Sequence, residues 1–210
     1  MAGWRPIGVA PAVTLVTLAL DVRDAAAGQD SSDTPHLQVR LSTAATLPPP
    51  AKAAMVAEAT AIWAEAGVVL DWDGSSNGRQ GPASLRVLVV SAARRPSVAT
   101  HTWPVAELMR DQHQRPLAVA SIDAARQVLQ AMRRPHEPEA MRSHRLGVVL
   151  GRAIAHEIGH HLLASAGHAR HGLMRARIDA ADFADLRHGG FAPDRAAATA
   201  ARLALTARPR

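Results

Sequence analysis

The chain has 210 residues, 48% of them hydrophobic, and a formal net charge of +6; that is one domain's length with enough apolar content for a core, which excludes global disorder. It contains no Cys, so disulfides and thiolate ligands are excluded, and with four Trp, two Phe and no Tyr the core must come from Val, Leu, Ile and Ala. The positive charge sits on scattered arginines, with Lys only at Lys52; no basic stripe alternates with stacking aromatics, so nucleic acid is not an expected partner.

In chain order, the first stretch is "MAGWRPIGVAPAVTLVTLALDVRDAAAGQD". Arg5 supplies a positive start, 7–20 is an apolar run, and Ala25, Ala26 and Ala27 are small residues suited to cleavage. This is the pattern of a secretory signal peptide over 1–27, and an uncleaved anchor is the alternative. The expected destination is secreted or periplasmic. No later apolar run is long enough to cross a bilayer, so no stable membrane span is expected after signal removal. Residues 28–35, "GQDSSDTP", read as a flexible linker, and 36–210 as a single domain.

"HLQVRLST" at 36–43 alternates apolar and polar residues as a half-buried strand does. After the break at "LPPP", residues 52–66 place Met55, Ala59, Ile62, Trp63 and Ala66 at helical spacing, with Gly67 as the stop. "VVLDW" is a short strand, "DGSSNGRQGP" a loop, and "SLRVLVVSAA" the most hydrophobic strand. The stretch 94–115 has no periodicity and is broken by Pro96 and Pro104. "PLAVASID" at 116–123 reads as a fourth strand, placed at a sheet edge because it begins with Pro116. Residues 126–134 fit strand or helix. A long helix is predicted from the break at "RPHEP" to about Ala164, and a terminal amphipathic helix from Pro193 or Asp194. The predicted fold class is α/β (α+β): a mixed twisted sheet packed on helices.

The chemistry lies in "GRAIAHEIGHHLLASAGHARHGLM", residues 151–174. His156 and His160 are one helical turn apart on one face, so both imidazoles can reach one ion. Glu157 lies close by, placed to address a water on that ion. This is the H-E-x-x-H arrangement of zinc hydrolases. Buried in an apolar helix, such groups need something to offset their desolvation, and Zn2+ does so. A catalytic zinc needs a third protein ligand. No Glu follows Glu157, which excludes a later glutamate; the candidates are Asp179, Asp182, Asp185 and, most directly, His168, which Gly167 would turn back toward the ion. His171 is either a substitute ligand, a group supporting the ligands, or an exposed loop residue. His161 is expected to face away from the ion. One of the three aspartates is expected to hydrogen-bond a ligand imidazole. His101, His113, His136, His144 and His188 have no ligand spacing and are expected at the surface.

Over 150–175 the sequence resembles the metzincin-type, matrixin-like zinc metallopeptidases, in which two helix histidines, a catalytic glutamate, a third histidine after a glycine turn and a methionine turn follow in order. The resemblance implies a zincin-like fold with a long active-site helix, with His156, His160 and His168 as zinc ligands. It further implies Glu157 as general base on zinc-bound water, and Met174 as the structural methionine beneath the metal. The implied activity is endopeptidase hydrolysis of a peptide or protein substrate lying extended along an edge strand, here 116–123. Two departures stand: Leu163 occupies the family's glycine position and His168 arrives two residues late, so either the helix runs half a turn further before Gly167 or the turn has another shape. The tyrosine that some members place near the transition state is absent. A non-catalytic zinc-binding secreted protein of the same fold is the alternative reading, and an Arg-rich nucleic-acid module ranks last.

Overall fold

The computed structural model describes residues 34–72, 84–91, 105–132, 135–186 and 190–207. The expected signal segment, nearly all of the linker 28–35 and the loop "DGSSNGRQGP" lie outside the described residues. The chain divides between Ser32 and Asp33, and the helices and strands of the described residues lie in the second unit.

Elements follow in the order β1 (His36–Thr43), α1 (Pro49–Glu65), β2 (Val69–Trp72), β3 (Ser84–Val90), β4 (Ala106–Arg110), β5 (Pro116–Ser121), α2 (Ile122–Ala131), α3 (Glu139–Leu163), α4 (Ala180–Ala184) and α5 (Arg195–Thr206). The sheet order is β2-β1-β3-β5-β4, with β4 antiparallel to β5 and the other neighbours parallel. The fold is the expected mixed sheet on helices.

The structure departs from the sequence reading at β4, at the place of β5 and at the short α4, and it decides the segment left open between strand and helix. β4 forms inside the stretch that has no periodicity. It displaces β5 from the edge: "PLAVAS" pairs with β3 on one side and β4 on the other. Pro116 misled because it sits opposite Arg110, where the β4–β5 ladder ends, so its missing N–H costs little there. Residues 122–131 resolve as helix, capped by the Ser121 hydroxyl, which accepts from the Ala124 amide at 3.2 Å.

One face of the sheet presents Leu37, Val39, Leu85, Val87, Val89, Ala118 and Ala120 to the core, all of them buried. Against them lie Met55, Ala59, Ile62 and Trp63 of α1 and Val149, Leu150, Ile154 and Ile158 of α3. The proline run starts α1 without loss, because first-turn amides have no helical partner in any case. Helices α1 and α3 meet closely: a Cβ built on Gly151 would come 2.7 Å from the Met55 carbonyl oxygen, and Gly147 sits as tightly on Ala51 and Ala54. The buried Trp63 donates its indole N–H to the Ala155 carbonyl at 3.1 Å, tying α1 to α3 immediately before His156. Among the described residues, no helix is long and apolar enough to cross a membrane.

Candidate metal centre

At its C-terminal end α3 leaves the core. The helix ends at Leu163, and Ala164 takes the left-handed conformation (φ 47, ψ 37). The turn was expected at Gly167, but Gly167 has an ordinary φ and the reversal is made by Ala164. A non-glycine residue there costs about 1–2 kcal/mol. Ser165 braces the next residues of the turn: its hydroxyl accepts from the Gly167 amide at 3.0 Å. The short turn brings His168 back over the helix end, which settles the altered spacing in favour of a different turn, not a longer helix.

His156, His160 and His168 each offer a ring nitrogen, and these atoms lie within 4.8 Å of one another. Their ring centroids are 4.7, 5.4 and 4.9 Å apart in pairs. His156 and His160 are half-buried and His168 is exposed. His156 Nδ1 is 2.7 Å from the Leu173 carbonyl oxygen, and His160 Nδ1 is 2.7 Å from that of Ser165. A carbonyl can only accept, so both Nδ1 atoms carry a proton, which turns both Nε2 atoms away from the main chain and toward each other. Those two Nε2 atoms are 3.0 Å apart. Two ring nitrogens at that distance need a proton or a metal ion between them. Burial, then the neighbouring His160 and His168, push His156 down to about 4 against the opposing Leu173 bond, so the His156 Nε2 is kept free of a proton at neutral pH. Burial and His160 likewise lower His168. Three imidazole nitrogens converging within 4.8 Å of one another suit a divalent ion of the zinc kind.

Glu157 is 8% exposed, and its Oε2 accepts from the Leu108 amide of β4 at 2.8 Å. Burial pushes its carboxyl up to about 7; the Leu108 bond works against this and the charge of Glu107 adds to it. The carboxyl opens on a cleft of about 810 Å³ walled by β4 on one side and by His160, His161 and the 164–168 turn on the other.

Met174 is buried, with its sulfur packed on Gly159 of α3, and its carbonyl accepts from the Ala169 amide at 2.7 Å. His161 lines the same cleft outside the three-ring cluster, and His171 is exposed. His113, His136 and His144 are exposed, while His101 and His188 lie outside the described residues. The aspartate expected behind a ligand ring is replaced by main chain: the Nδ1 partners are the carbonyls of Leu173 and Ser165, and Asp182 instead pairs with Arg175 at 2.7 Å. Nothing in the residue types marks a carbonyl for this task, and β4, which holds Glu157, carried no periodic signal.

No family model matches the sequence, and no curated protein matches it. Among solved structures, an archaemetzincin from Methanopyrus kandleri is similar at 14% identity and a TM-score of 0.49, over 81% of this chain and 96% of that one.

Proposed function

We propose that the chain is a zinc-dependent metalloendopeptidase of the metzincin type that cuts peptide bonds within a protein or peptide. The observation that carries this reading is the convergence of three imidazole nitrogens, two of whose rings, His160 and His168, line one open cleft together with the buried carboxylate of Glu157. In this reading His156, His160 and His168 hold the zinc, and Met174 is the apolar floor beneath it. Zinc, when bound, would supply a Lewis acid for the scissile carbonyl and would acidify water toward ~7. Glu157 takes the proton of the attacking water and delivers it to the departing amine. A carboxyl raised by burial is more basic than an exposed one, which suits it to accept that proton near neutral pH. The Leu108 amide holds the carboxyl at the cleft wall, so that it faces the reacting groups without searching rotamers. Among the described residues β4 ends the sheet, and its outer edge is the side along which an extended substrate would pair. The segment 1–27 is read as an export signal, so the substrate is met outside the cytoplasm.

The alternative, a non-catalytic zinc-binding protein, is favoured by the absence of Tyr and by the unusual turn to His168. One experiment separates the two. The purified chain should hold one zinc and cleave an unfolded protein in a chelator-sensitive manner. Glu157→Gln should keep the zinc and lose about 10²–10⁴-fold in turnover. Near-normal turnover in that variant contradicts the role of Glu157, and zinc without any cleavage by the wild type favours the alternative.

A further inference from the structure

Phe191 is almost fully buried, and two guanidinium groups lie over its ring, Arg152 at 4.3 Å and Arg175 at 5.1 Å from the centroid. Arg152 belongs to α3, one turn before His156, and donates to Glu58 of α1 at 2.7 Å and to the carbonyls of Asp182 and Phe183 at 2.6 and 3.1 Å. Arg175 follows Met174 directly and donates to the Gly190 carbonyl at 3.2 Å and to Asp182 at 2.7 Å. The residue after Phe191 completes the connection. The Ala192 carbonyl accepts from the Leu173 amide at 3.1 Å, and Leu173 turns its own carbonyl to His156 Nδ1. Gly172 permits this approach: its φ is +73, and a Cβ there would come 2.7 Å from the Ala192 oxygen.

We infer that residues 190–192, which contribute no ligand, set the orientation and tautomer of the His156 ring: Phe191, gripped by Arg152 and Arg175, anchors Ala192, whose carbonyl holds the Leu173 amide and so fixes the residue whose own carbonyl holds His156 Nδ1. Arg152, Arg175 and Phe191 are thus positioning residues. The site helix and the loop behind its first histidine are locked together by cation–π contacts and main-chain bonds. Without that lock the backbone at Leu173 can shift and re-aim its carbonyl, and the His156 ring is free to change tautomer or turn away. The inference rests on the metal-site reading for its consequence, a weaker hold on the ion, but the ring geometry itself is a property of the metal-free chain.

The test uses the full chain with Arg175→Met and Gly172→Ala, and Arg142→Ala at the exposed start of α3 as a control. Zinc affinity, measured by competition with a chelator, should fall about 10- to 100-fold in the first two and stay unchanged in the control. In metal-free protein, imidazole ¹⁵N resonances should show His156 as a single Nδ1–H tautomer in the wild type and as a mixture in both variants. Arg175→Lys should recover only part of the effect, because it keeps the charge and loses the planar fork. If Arg175→Met does not fold, Gly172→Ala decides. A wild type that binds no zinc defeats the metal-site reading, and the ring resonances still decide this inference. Folded variants that keep both the wild-type affinity and the single tautomer overturn it.

Discussion

Residues 145–155 of α3 are buried on every side, whereas from His156 onward the same helix exposes one flank to the cleft. In the first part the contacts are dry and close: glycines seat the helix on α1, and the ionic group at Arg152 is sealed by Glu58, carbonyls and an aromatic ring. In the second part the polar groups are only half covered, and their partners are main-chain carbonyls and amides from loops and an edge strand. One helix is thus anchored over its first stretch so that three side chains near its end can be held with little freedom. A site that must admit a substrate cannot be close-packed itself, and its rigidity is supplied from next door.

The largest expected effect comes from breaking the anchor. Arg152 is wholly buried and Glu58 is 6% exposed, so Arg152→Met strips a buried carboxylate of its cation. Chemical unfolding of the metal-free variant should show a loss of about 3–5 kcal/mol. A loss well under 1 kcal/mol would mean that the buried half is not held as described. Gly151→Ala places a methyl group against the Met55 carbonyl and the Glu58 side chain. Overpacking of this kind should cost about 1–3 kcal/mol, and the same measurement checks it.

The part of this contrast that was legible in the sequence divides along the same line. The apolar run "LGVVLGRAIA" and the periodicity of Met55, Ala59, Ile62 and Trp63 encode burial directly, so the core helices and the ends of α3 could be read. Side-chain chemistry was legible too, since imidazoles at one-turn spacing state what they can bind. Three features were not. β4 takes its place from pairing with β5, and "AELMR" by itself carries no strand signal. The reversal at Ala164 is a left-handed residue that sequence would assign to glycine. The partners behind His156 and His160 are carbonyls, which every residue possesses.

The smaller effect belongs to the cleft half and depends on pH. Glu157 is raised from 4.5 to about 7 by burial, so the metal-free fold favours its protonated form. Its contribution to stability is therefore full below pH 4.5 and is lost as pH rises through 7. Glu157→Gln removes that loss. Against the wild type, the metal-free variant should gain stability between pH 5 and pH 8, on the order of 2 kcal/mol at 1.36 kcal/mol per pKa unit. His156, lowered to about 4, has the opposite sign: its contribution is full above 6.5 and lost as pH falls toward 4. It is common to both proteins and cancels in the difference. Added zinc should narrow the gap by favouring the ionised carboxylate. A difference that is flat with pH would show that Glu157 is not desolvated.

Everything proposed for the cleft depends on three rings sharing one ion, and the metal content and zinc affinity of the wild type beside His168→Ala test that most directly. The expected result is one zinc per wild-type chain and a loss of at least about 100-fold in affinity for the variant, more than the loss of a partner outside the ligand set would cause. A variant that binds zinc as tightly as the wild type, or a wild type that binds none, would contradict it.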